Sequence, residues 1–173
     1  MTLRRFTYLY IAYLILSSAV ARKGLEWLRG LIGAEKVHVI PWVFLGVALC
    51  LVVLIIRRNR ISWPRILVVA STFVGIFLFL KGMRIPEERI HIFQYGLLGF
   101  LLVTSNREKS WKQTFVMAFF VVLLVAGADE VFQAFLPDRV GEIRDVGFGC
   151  LGGIWGILIA ALTLKRGPSR PIG

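Results

Sequence analysis

Gly127-Ala-Asp-Glu-Val-Phe-Gln-Ala-Phe-Leu-Pro-Asp-Arg-Val-Gly-Glu-Ile-Arg-Asp145 directly follows an uninterrupted apolar run, Phe115 to Ala126. Two acids, Asp129 and Glu130, therefore stand inside a helix that is otherwise greasy. At roughly 100° per residue, Asp129, Glu130 and Gln133 fall on one face of that helix. Ionisable groups at membrane depth are costly, and they normally point into a bundle interior or a wet cavity where partners await them. This stretch therefore predicts a polar seam inside a membrane bundle and requires that another helix answer it.

The rest of the chain agrees with a membrane reading. It has 173 residues, is 57% hydrophobic and has a mean hydropathy of +0.75, well above the range of soluble domains. We expect one integral membrane domain, residues 1–173, all-α, with about six transmembrane helices plus a short interfacial helix. The formal net charge of +11 does not imply nucleic acid, because the basic residues collect in short segments between apolar runs. Cys50 and Cys150 lie within apolar runs, so neither a disulfide nor a metal site follows from them.

The spans are expected at Phe6 to Ala21, Val37 to Ile56, Trp63 to Leu80, Arg89 to Thr104, Thr114 to Leu136 and Ile143 to Leu164. The first has the short apolar core and small residues of a signal peptide but is expected to remain as a span. Gly24 to Gly33, with Trp27 at headgroup level, reads as the interfacial helix. The tail from Gly167 to Gly173 reads as irregular. An up-and-down bundle with short connections follows.

Charge sets the expected orientation. On alternating topology one side carries twelve Lys/Arg with Glu108 as its lone acid, and the other carries nine Lys/Arg with the remaining nine acids. The positive-inside rule then places both termini in the cytoplasm of a cell (inner) membrane protein, with Asp129 and Glu130 toward the outer side.

The partner helix is Pro86-Glu-Glu-Arg-Ile-His-Ile-Phe-Gln-Tyr95, where Glu87, Glu88, His91, Gln94 and Tyr95 share a sector of roughly 120°. It enters at the depth of Asp129. Arg139, Arg144 and Asp145 lie at the same level in the closing loop. Gly149/Gly153 and Gly152/Gly156 then offer small residues four apart, a face for close approach to the fourth and fifth spans, or for pairing with another subunit or a second copy.

These residues together resemble the VanZ-like membrane proteins. His91 and Tyr95 match one motif of that pattern. Asp129, Glu130, Gln133, Phe135, Pro137, Arg139, Asp145 and Gly152 match the other at the same spacing, the likeness running from Glu87 to Gly156. Glu87 and Glu88 stand where the pattern has Asp-Lys, and Gly149 where it has Asn. The missing base leaves Arg84 or Arg89 as possible replacements. The resemblance implies an envelope membrane protein without naming a reaction.

Three chemistries remain open on the residues. Glu88, His91, Asp129 and Glu130 have the types needed for acid–base catalysis. Tyr95, Gln133, Arg139, Arg144 and Asp145 could bind a lipid headgroup, the arginines taking phosphate. An internal ion-pair network, Arg139 with Asp145 or Glu130 and His91 with Asp129, would fix helix register without function. Glu88-x-x-His91 has the spacing of di-iron bundles but occurs once; with Asp129 and Glu130 it would complete at most one mononuclear site, so no metal and no cofactor are assigned. Expected partners are membrane lipids, other membrane subunits as an accessory role would require, or a second copy through the Gly149–Gly156 face, and no nucleic acid.

Overall fold

The computed structural model describes residues 2–83, 85–108, 110–137 and 141–165, without the side chains of Arg22, Ala34, Pro86 and Glu87. It is all-α. Among the described residues seven helices follow in order: α1 Leu3–Ile32, α2 Ala34–Val37, α3 Ile40–Asn59, α4 Trp63–Gly82, α5 Pro86–Ser105, α6 Trp111–Ala134 and α7 Ile143–Thr163. Four segments among the described residues are long and apolar enough to cross a membrane: Glu35–Asn59, Trp63–Gly82, Trp111–Ala134 and Ile143–Thr163. The molecule is a multi-pass helical membrane bundle.

Local chemistry explains the boundaries. Pro41, Pro64 and Pro86 stand in the first turns of α3, α4 and α5, where a missing N–H is harmless and the fixed φ favours a helical start. The Ser110 hydroxyl accepts the Gln113 amide at 3.3 Å and opens α6. Pro137 follows the end of α6. The α3 to α7 boundaries fall within about three residues of those expected from hydropathy and proline, the usual uncertainty of such a reading.

The N-terminal segment departs from expectation. Gly24 to Gly33 is not a separate interfacial helix; it continues α1, which runs unbroken for 30 residues. Arg22, Lys23 and Gly24 resemble a boundary, but no proline interrupts them and one helical glycine costs only about 1 kcal/mol. The chain turns at Gly33 instead, whose φ of 91° and ψ of 144° lie in a region open almost only to glycine. The tail expected to be irregular lies outside the described residues.

Neighbouring helices alternate in direction, so the start of α1, the ends of α3, α5 and α7 and the starts of α4 and α6 share one end of the bundle. Polar contacts fix this end: Asn59 donates to the Thr163 carbonyl at 2.7 Å, and the Thr7 and Ser105 hydroxyls lie 2.7 Å apart. The other end carries the starts of α5 and α7 and the end of α6, where the polar residues of the sequence motifs collect.

α5 and α7 form a wall between two apolar cores. On one side Leu14, Leu98, Leu102, Val122, Val125 and Ile157 interlock α1, α5, α6 and α7. On the other, Val52, Phe73, Ile76, Leu80, Ile92, Phe93 and Trp155 join α3, α4, α5 and α7. The wall is thin because its contact surface is backbone. A Cβ added at Gly152 would overlap the Ile92 backbone, one at Gly156 the Gly96 backbone and one at Gly99 the Gly153 backbone. Gly149 packs against Ala126 and Tyr95, and Gly153 against Val122. The Gly149–Gly156 face is thus covered by α5 and α6 of the same chain.

Candidate functional site

The first turns of α5 and the last turns of α6 bring the polar residues together. His91 reaches across from α5, its Nε2 lying 3.5 Å from Glu130 Oε1 and 4.0 Å from Asp129 Oδ2. One turn deeper, the Tyr95 hydroxyl donates to Asp129 Oδ2 at 3.1 Å. Tyr95 and Asp129 are almost fully buried, at 1% and 2% exposure, so this bond is shielded from competing water. The two polar faces inferred from helical spacing do meet.

Glu130 is held by two further donors. Gln133 Nε2 donates to its Oε1 at 3.1 Å, and the Glu142 backbone N–H donates to its Oε2 at 2.9 Å. The second bond depends on Gly141, whose Cα lies so close to the Glu130 carbonyl that any Cβ there would overlap it. Gly141 therefore lets the loop fold down onto the end of α6. On the other side of the imidazole, His91 Nδ1 lies 3.3 Å from Gln94 Oε1. An amide oxygen can only accept, so Nδ1 carries the hydrogen and, in the neutral ring, Nε2 presents its lone pair to the two carboxylates.

Ser18 of α1, itself buried, interacts with the Asp129 carboxyl, and the Tyr10 hydroxyl donates to the Gln94 carbonyl at 3.1 Å. Sequence reasoning did not assign Ser18, Tyr10 or Gly141 to the site. Ser17-Ser18 within an apolar helix was the available signal for the first. Asp145, in the first turn of α7, is near enough to His91, Glu130 and Arg144 for their charges to act on it.

Glu88 takes a different place from that expected. Its Oε1 pairs with Arg144 at 2.5 Å, and Arg144 also reaches Glu142 at 3.1 Å and lies over the Phe148 ring. The base absent from the α5 motif is thus supplied from α7. Arg89, one of the two replacements considered, is engaged elsewhere: it donates to the Met83 carbonyl and stacks over Trp42, tying the α4–α5 connection to α3. Arg84 and Arg139 lie outside the described residues, as does the side chain of Glu87, so the expected roles of these groups have no counterpart in the geometry.

Glu88 and Arg144 line a groove of about 640 Å³ whose remaining walls include Leu78, Phe79, Met83, Ile85 and Phe148. It is apolar along α4 and charged at its upper edge. A second cavity of about 420 Å³, lined by Phe44, Val52, Phe73, Phe93, Gly96 and Trp155, lies on the face of α5 away from His91 and is almost wholly apolar.

Chemically, the arrangement offers a half-buried imidazole between buried carboxylates, able to pass a proton or to share a cation. His91, Asp129 and Glu130 each present one ligand atom, and the three lie within 4.8 Å of one another, so these residues could hold a metal ion. Glu88, which the spacing had coupled to His91, has Arg144 as its close partner. No curated protein and no solved structure matches the chain. The sequence model of the VanZ/LLP1 family does, over residues 42–164, which takes in α3 to α7 and the whole polar cluster. That match reaches well before the two motifs and a little past them, and the chain belongs to the VanZ/LLP1 family.

Proposed function

We propose that the chain is a lipid-binding protein of a cell envelope membrane, one integral domain of six spans, which holds a phosphate-bearing headgroup in the groove beside Glu88 and Arg144. Length supports the two spans beyond the four apolar ones. At 1.5 Å per residue, α1 and α5 measure about 45 and 30 Å against a hydrocarbon core of about 30 Å. The charges of α5 collect in its first turn, and Tyr95 and Asp129 satisfy one another at its interface with α6. With six spans both termini share a side. Lys/Arg excess on that side supports a cytoplasmic assignment and leaves the polar cluster outside.

The observation that carries the headgroup reading is the groove's division into an apolar wall and a charged rim. A phospholipid has the same division, with acyl carbon for Leu78, Phe79 and Phe148 and phosphate for the Arg144 guanidinium. Among the described residues Arg144 sits between Glu88 and Glu142, a sum that is negative and disfavours a purely anionic headgroup. A headgroup with both a phosphate and a primary amine fits better, the amine going to the carboxylates.

Native mass spectrometry of the chain released from mixed phosphatidylethanolamine and phosphatidylglycerol bilayers tests this. Wild type should retain phosphatidylethanolamine, and Arg144→Gln should retain several-fold less. Equal retention by both would overturn the headgroup reading. A stoichiometric protein partner in place of lipid would favour an accessory subunit.

A further inference from the structure

We infer that His91, Asp129 and Glu130 form a binding site for a single divalent transition-metal ion. The site is separate from the headgroup groove and does not depend on it.

Geometry supplies the first reason. The separations from His91 Nε2 to the nearest carboxylate oxygens, 3.5 and 4.0 Å, exceed an N–H···O hydrogen bond, normally about 2.7–3.2 Å. A metal bound at about 2.0–2.2 Å to each ligand instead holds neighbouring ligand atoms roughly 3.3–3.5 Å apart in a tetrahedral arrangement. The His91–Glu130 pair already has that spacing. Asp129 needs about 0.5 Å of closure to match it, within the reach of a carboxylate rotation.

The second reason is the state of the individual atoms. With Nδ1–H committed to Gln94 Oε1, a neutral ring turns its Nε2 lone pair toward the two carboxylate oxygens. A metal-bound imidazole usually has this arrangement, its far N–H given to an oxygen that fixes the tautomer. Among the described residues the Asp129 carboxyl, in a residue only 2% exposed, meets the neutral hydroxyls of Tyr95 and Ser18 beside His91. Asp145 adds a further carboxylate nearby, and among the described residues Arg144, the arginine at this level, faces Glu88 and Glu142.

Ligand chemistry narrows the ion. One imidazole nitrogen with two carboxylate oxygens suits zinc, manganese or ferrous iron better than calcium or magnesium, which prefer all-oxygen sites. Tyr95, Gln133 and the Glu142 N–H orient the carboxylates. Three protein ligands leave a coordination position for water or an oxygen of a bound molecule.

The test uses the full-length chain in detergent, without a polyhistidine tag, titrated with Co²⁺ and read by its visible absorption. Only two histidines occur, so His38→Ala isolates His91 as the sole imidazole. Wild type and His38→Ala should each bind one Co²⁺ saturably and release it to Zn²⁺, with Zn²⁺ also raising Tm. His91→Ala and Asp129→Asn, checked for native near-ultraviolet circular dichroism, should bind about 100-fold more weakly or worse. Absence of saturable Co²⁺ binding by wild type would overturn the site without recourse to any variant. Binding that survives both His91→Ala and Asp129→Asn would overturn it equally.

Discussion

Replacing Gly156 by Ala should destabilise the bundle out of proportion to one methyl group. The added Cβ would overlap the Gly96 carbonyl and Cα, and backbone cannot rotate away as a side chain can. α5 and α7 must therefore separate along the wall where Gly152 meets Ile92 and Gly153 meets Gly99. Overpacking of this kind costs about 1–3 kcal/mol, and the rigid partner puts Gly156 toward the upper end. The intrinsic helix preference of Ala over Gly returns at most about 1 kcal/mol, leaving a net loss of about 2 kcal/mol. For a chain of this size that lowers Tm by roughly 4–8 °C. Gly75→Ala and Gly147→Ala supply the contrast, since a Cβ at either meets nothing within 4 Å. Both should leave Tm unchanged or raise it slightly. Near-ultraviolet circular dichroism of the detergent-solubilised chain, heated in parallel for all three variants, reads the difference. A Gly156→Ala protein as stable as Gly75→Ala would refute the close α5–α7 wall.

Tyr95→Phe removes the donor to a carboxylate oxygen buried at 2% residue exposure and should cost about 1–3 kcal/mol, seen as a lower unfolding midpoint on SDS titration. Gly141→Ala should displace the loop from the end of α6 and break the Glu142 N–H to Glu130 bond; faster amide exchange at Glu142 with unchanged exchange in α3 and α4 would report it. Arg89→Ala should loosen the α4–α5 connection by removing both the Met83 carbonyl contact and the stacking on Trp42, shifting the fluorescence of Trp42 without altering Co²⁺ binding. For topology, single cysteines at Ser169 and Val140 in a cysteine-free background should differ in intact cells, with an impermeant thiol reagent labelling 140 and sparing 169; the reverse pattern would invert the membrane orientation.

Much of this architecture is legible in the residues because a bilayer imposes simple rules. Apolar runs near 20 residues, opened by Pro41, Pro64 and Pro86 and closed by Pro137, mark helices whatever their neighbours do. The meeting of α5 and α6 is legible for a related reason: a polar face in a greasy helix must find another, and Asp129, Glu130, His91 and Tyr95 lie at matching depth. The pairing of α5 with the start of α7 is not legible. Nothing in the spacing of Glu88 assigns it to Arg144 on α7, since one carboxylate on α5 has several cations at its level and the choice depends on how the helices tilt. Gly141 reads as an ordinary turn glycine until the Glu130 carbonyl is seen against it. The continuity of α1 through Arg22, Lys23 and Gly24 is hidden because polar residues mark a membrane surface and a helix end alike, and only one of those applies here.

The most direct measurement of the central claim, a selective headgroup site beside Glu88 and Arg144, is photocrosslinking in native membranes. A photoreactive phenylalanine analogue placed at Phe79 lines the groove, and one at Leu124, exposed on α6, samples bulk lipid. Adducts at position 79 should be enriched in lipids carrying both phosphate and amine relative to position 124, with that enrichment lost in Arg144→Gln. The same lipid distribution at both positions, unaffected by Arg144→Gln, would contradict it.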